Sequence, residues 1–181
     1  MKRSNKNRGG KGIIRALVRR GARSSKAPRV AQKRAEALRE PTICGSCGAI
    51  FLHRAWRRRA LAADRLDGAS WGTCPACEQV QRGEYYGRVV ARNAPRVADR
   101  DTIIRRIRNV ARRSGFTQPE RRIVSIECDE SRLEVLTTSQ KLAHRIAREL
   151  VKAFGGRASF RWSSGDGSLL ATWETSTVSP R

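Results

Sequence analysis

The chain has 181 residues, 39 of them Lys or Arg and 16 Asp or Glu, for a formal net charge of +23. Hydrophobic residues make up 39% and aromatic residues 6%, a poor endowment for the core of a large single-domain enzyme. No run nears the roughly 18 apolar residues of a membrane-spanning helix, and the basic N-terminus lacks the apolar stretch of a secretory signal.

The charge is segregated. Residues 1–40 carry +12, 41–87 carry +2, 88–122 carry +8 and 123–181 carry +1. Such a field attracts polyanions. Arg outnumbers Lys by 32 to 7. Guanidinium suits bidentate contact with phosphate and stacking on bases, but GC-rich codon usage gives the same bias, so net charge is the better pointer. The first acid is Glu36, and residues 1–40 mix Gly, Ser, Lys and Arg. This segment cannot bury enough to offset its chain entropy, which predicts a disordered basic tail. Stretches 13–20 and 30–39 can become short helices on an anionic surface, so Lys11, Arg15, Arg19 and Arg20 are candidate nucleic-acid contacts. A solvated low-complexity tail and an organelle transit peptide are the alternatives.

Residues 41–92 are expected to form a zinc ribbon. Cys44-Gly45-Ser46-Cys47-Gly48 and Cys74-Pro75-Ala76-Cys77 give the pattern C-x2-C-x26-C-x2-C. Two residues between cysteines let one tight turn aim both sulfurs at one ion. Gly48 can take positive φ there. Four thiolates suit one closed, tetrahedral, structural Zn2+ site on Cys44, Cys47, Cys74 and Cys77. The same ligands also suit a four-thiolate iron centre. Thioredoxin-like chemistry needs one pair opening a helix in a βαβ unit, whereas loop signals flank both pairs here. Catalytic zinc needs an open position, and His53 is superfluous beside four cysteines. The gap of 26 residues predicts an enlarged hairpin or short helix between the pairs, with 50–52 as a strand. Trp56 stands among Arg54, Arg57, Arg58 and Arg59. Either a base stacks on the indole while the arginines hold phosphates, or Trp56 covers the metal core, aided by Trp71.

Residues 85–91 read as a strand leaving the second cysteine pair, and 93–96 as a turn. A helix is predicted over 98–113, capped by Asp99 or Asp101 and ended by Ser114-Gly115. Ile103, Ile104, Ile107, Val110 and Ala111 share one face. Arg105, Arg106, Arg108, Arg112 and Arg113 take the others, with no acid between Thr102 and Pro119. That absence favours phosphate contact over a merely solvated face. Strands follow at 123–128 and 132–137, then a helix from the Ser139 cap to Phe154 with Gly155-Gly156 as its stop. A last hairpin, 157–163 and 168–175, turns at Gly165-Asp166-Gly167. The fold class is therefore α+β: a CxxC/CxxC zinc ribbon, a basic helix, and a small ββαββ domain over 98–175 with one four-stranded sheet, followed by a short tail at 176–181. Cys128 is expected to be small and buried, and His144 a plain surface residue.

The chain carries no P-loop, no GxGxxG after a strand and no HExxH. Asp129, Glu130 and Glu134 cluster at a turn, where acids commonly gather.

The segments CGSCGAIFLHRAW, TCPAC and LEVLTTSQKLAHRIARELVKAFGG resemble small bacterial zinc-ribbon proteins related to the Nmd-three large-ribosomal-subunit export adaptor. The similarity spans roughly residues 41–175. It implies zinc on Cys44, Cys47, Cys74 and Cys77 and association with the large ribosomal subunit or its RNA. The chain has one set of cysteine pairs where the adaptor has more, and it lacks the adaptor's further domains and shuttling signals. Nuclear export is therefore not carried over.

Together these features lead us to expect a cytoplasmic, non-enzymatic zinc-ribbon protein that binds RNA, with rRNA or the ribosome as partner and no membrane or small-molecule substrate. A DNA-binding or transcription-associated ribbon is the first alternative. A metal- or thiol-dependent enzyme, using an open metal position or a reactive Cys128, is the second.

Overall fold

The computed structural model describes residues 38–58, 66–92, 97–129 and 132–175. The expected disorder of the basic tail and the 176–181 tail lie outside the described residues, apart from 38–40. The described chain is α+β, with two sheets and three helices.

The first sheet is small. Strands β1 (Thr42–Cys44), β2 (Ile50–Leu52), β3 (Ala55–Arg57) and β4 (Ser70–Gly72) lie in the order β3-β2-β1-β4. β1, β2 and β3 are successive antiparallel neighbours, whereas β4 returns parallel to β1. The gap between the cysteine pairs is thus a hairpin plus a returning strand, with 59–65 outside the described residues. The β2–β3 turn places His53 (φ 52°) and Arg54 (φ 59°) in the left-handed region, which is costly for residues with a Cβ. Glu40 offsets that cost. Its carboxylate accepts both turn N–H groups, from His53 and Arg54, at 2.8 Å each.

Helix α1 (Pro75–Arg82) begins directly at the second cysteine pair, with Cys74 at the N-cap and proline in the first turn. The loop expected around this pair is therefore a helix start, and Pro75 is the residue that favours it, since its fixed φ suits a first turn. α1 packs against the second sheet at β6.

The second sheet holds β5 (Gly87–Arg92), β6 (Ile123–Cys128), β7 (Arg132–Thr137), β8 (Arg157–Trp162) and β9 (Leu169–Glu174) in the order β6-β7-β5-β9-β8. This corrects the expected four strands to five. The strand expected to leave the cysteine region is its centre, antiparallel to β7 and parallel to β9. Its near-continuous apolar stretch explains the placement: Val89, Val90 and Ala91 are all buried, as suits a strand with neighbours on both sides.

Helices α2 (Val97–Thr117) and α3 (Gln140–Phe154) cover one face. Ile103, Ile107 and Val110 of α2 meet Leu142, Ile146 and Leu150 of α3 in a single core with Val89, Val135, Ala171 and Trp173. On α3 the Ser139 hydroxyl accepts the Leu142 N–H at 3.3 Å, and Gly155 and Gly156 end the helix at positive φ, as expected. On α2 both expected ends move. The helix starts at Val97, so Asp99 and Asp101 lie inside it, and it passes through Ser114-Gly115 to Thr117. Ser114 is buried, with its hydroxyl 3.4 Å from Arg145, so packing carries the helix past a glycine that costs only about 1 kcal/mol. Gly87 meets a close approach: a Cβ there would lie 2.6 Å from the Ala143 methyl and 2.7 Å from the Ser139 carbonyl.

Candidate metal centre and arginine cleft

The β1–β2 hairpin presents Cys44 and Cys47, and the start of α1 presents Cys74 and Cys77. Their four sulfurs all lie within 4.8 Å of one another, so one metal ion could be held between them. Cys47 and Cys74 sulfurs are 3.7 Å apart. The hairpin turn is tight: the Gly48 N–H donates to the Cys44 carbonyl at 2.8 Å, with Gly48 at φ 70° as expected. The Cys74 N–H points at the Cys44 sulfur at 3.3 Å. Cys44, Cys74 and Cys77 are buried, with Ala49, Ala76 and the half-buried Trp56 packed around them.

As free thiols the four behave unequally. Burial pushes Cys44 up, but N–H groups of Cys74, Cys47 and Ser46 outweigh it and bring the thiol down to about 6. Burial dominates at the other pair: it raises Cys74 strongly and Cys77 to about 11, with further thiols close by. A cation in the middle reverses that preference, because it favours thiolate at every ligand.

The aromatic residues separate the two roles weighed for Trp56. Its ring packs on the cysteine cluster and lies 5.4 Å from the Phe51 ring, so the indole is used as cover. Trp71 does not help, being 76% exposed. The expected burial of Cys128 is likewise wrong. It sits at the end of edge strand β6 and is exposed. Its thiol is nevertheless pushed up, chiefly by partial desolvation, which disfavours a reactive thiolate. His144 is not a plain surface residue but half-buried against the Phe160 ring, at 4.5 Å.

The candidate nucleic-acid residues divide into three groups. Lys11, Arg15, Arg19, Arg20 and Arg59 lie outside the described residues. Arg54, Arg57 and Arg58 on the hairpin and Arg105, Arg108, Arg112 and Arg113 on α2 are exposed. Arg106 departs from its neighbours: it is half-buried and pairs with Glu149 of α3 at 3.0 Å, so it ties the two helices together.

A cleft opens between the cysteine hairpin and the C-terminal half of α2. It gathers Arg58 from the hairpin with Arg108 and Arg112 from α2. It also contains Phe116, Arg121 and Arg122, which sequence reasoning counted only as charge or passed over. The one available signal was Arg121-Arg122, two residues past Pro119 in the +8 segment. Arg122 links cleft and metal site, donating from Nη1 to the Cys77 sulfur at 3.6 Å and from Nε to the Pro119 carbonyl at 2.8 Å.

Among the described residues no helix is long and apolar enough to cross a membrane. Comparison with protein-family models, curated proteins and solved structures finds no match.

Proposed function

We propose that this chain is a non-enzymatic, zinc-stabilised RNA-binding protein of the cytoplasm, acting on rRNA in the ribosome or in an assembly intermediate. The small sheet and its cysteine hairpin are read as a zinc ribbon, followed by the ββαββ unit. Four thiolates without a carboxylate or imidazole suit Zn2+ in a closed structural site. One sulfur pair has the matching spacing: a tetrahedron with Zn–S of about 2.3 Å has edges of about 3.8 Å, against 3.7 Å between Cys47 and Cys74, and all four lie within 4.8 Å of one another. A kinship with the Nmd-three adaptor would give the same ligands and the large subunit as partner.

One observation carries the RNA reading. The arginines of α2 that face away from the core, Arg105, Arg108, Arg112 and Arg113, are exposed on one helix beside the arginines of the hairpin, and no carboxylate pairs with them among the described residues. Elsewhere arginines do find acids, as Arg88 and Arg132 do at Glu134. A solvated structural face mixes signs; a phosphate-binding face does not.

The test is RNA affinity as a function of salt, measured with rRNA fragments and with duplex DNA as competitor. Five or more phosphate contacts give a log–log slope of about −4 or steeper. A flat response overturns the reading. Duplex DNA outcompeting rRNA replaces it with a transcription-associated ribbon. Gradient sedimentation of a lysate then checks comigration with ribosomal particles.

A further inference from the structure

The cleft between the hairpin and α2 has a volume of about 1030 Å3 and is lined by Arg58, Arg108, Arg112, Arg121 and Arg122, with no acid in its walls among the described residues. None of the five forms an ion pair among the described residues, whereas Arg88, Arg106 and Arg132 each have a carboxylate. Like charges gathered on concave walls repel one another and focus a positive field on whatever enters. Within the same walls stands Phe116, a large apolar side chain left 52% exposed at the end of α2. The Arg58 guanidinium lies 4.1 Å from its ring centroid, within cation–π range.

Charge and ring together select the occupant. Arginines recognise phosphate by paired N–H groups, and several of them along one cleft suit a polymer rather than a single phosphate. An exposed ring among them adds nothing for a duplex, whose base faces are already stacked on each other. It adds a platform for a base that is unpaired. We propose that this cleft holds a single-stranded stretch of RNA, with one base stacked on Phe116 and neighbouring phosphates held by Arg58, Arg108, Arg112 and Arg121. The proposal rests on the RNA-binding reading above and adds to it the strand state and the seat of one base. Arg122 serves differently: its bonds to Pro119 and Cys77 fix the cleft wall to the metal site.

The test is fluorescence anisotropy on the full-length, metal-loaded chain at low salt. The probes are a labelled single-stranded RNA of about ten nucleotides, within the usual range for such sites, and the same sequence as a duplex. Phe116→Leu keeps an apolar side chain of similar size but removes the stacking face. It should weaken single-strand binding by about fivefold or more and leave duplex binding unchanged, and Phe116→Trp should restore it. Arg108→Gln combined with Arg112→Gln should make the single-strand salt slope shallower by about 1.4. Equal single-strand affinity of wild type and Phe116→Leu, with matched melting temperatures, overturns the cleft proposal and leaves the RNA reading standing. So does a preference for the duplex, or competition by adenosine monophosphate at matched phosphate concentration. A wild-type chain that binds neither probe overturns the RNA reading, and the cleft proposal with it.

Discussion

Stripping the metal should dissolve the cysteine unit and leave the larger sheet standing, because the two have unequal apolar support. The larger core joins fifteen buried residues across two helices and the sheet. The cluster around the cysteines joins five, three of which are the candidate ligands Cys44, Cys74 and Cys77. Ile50 and Phe51 add full burial nearby. Side chains of this kind contribute about 1.5–3 kcal/mol each, hence about 3–6 kcal/mol for the pair. A structural zinc ion contributes about 10–16 kcal/mol in small domains that depend on it. Zinc bound there would therefore outweigh the apolar contribution by roughly twofold or more. The assay is amide hydrogen exchange on the intact chain, metal-loaded and after chelation, with metal content checked by elemental analysis. The Cys44, Gly45 and Gly48 N–H groups, bonded at 2.7, 3.0 and 2.8 Å, should lose protection. Amides of α3 and β5 should keep theirs. Metal-free protein that retains protection at residues 44–48 would refute the reasoning, since apolar burial alone would then be holding the hairpin.

Three further outcomes follow from the same packing. Ile146→Ala, at a fully buried α3 position, should lower unfolding free energy by about 2–5 kcal/mol in denaturant titration without altering metal content. Gly87→Ala should destabilise by about 1–3 kcal/mol, because its methyl meets Ala143 and the Ser139 carbonyl; an unchanged melting temperature would show that the start of α3 is free to move. The Glu40 carboxyl is held below its ordinary range, chiefly by the Arg54 N–H and also by that of His53. A lowered carboxylate pKa stabilises the fold above the unfolded-state value and stops doing so as pH falls through the folded value. The His53 and Arg54 amide resonances should accordingly shift with the protonation of Glu40 at a pH below about 4.3, and the Glu40→Gln chain should show no such step.

Much of this architecture is readable along the chain because its causes are local. The α3 stripe from Leu142 to Leu150, its Ser139 cap and its Gly155-Gly156 stop all act within a few residues, and the helix falls where they put it. The strand pairs on either side of it are similarly local, each linked by a short connection, and β8 and β9 alternate in burial along their length. The cysteine cluster is legible for the same reason twice over: each CxxC fixes two sulfurs by its own spacing, and only the meeting of the pairs needs the fold.

What the sequence by itself determined, then, was the identity of the cysteine cluster, the hairpins, the amphipathic helices and the separation of charge. Only the tertiary structure decided which of the charges are free. Arg106 looks like Arg105 in sequence, yet one finds Glu149 across a helix packing and the other faces outward. Likewise β5 becomes a sheet centre only because β7 and β9 arrive from later in the chain. The cleft needs Arg58 beside Phe116, residues far apart in sequence and 4.1 Å apart in space. Short-range stereochemistry is written in residue order; burial, pairing and concavity arise from contacts between distant segments, and those exist only after the chain has folded.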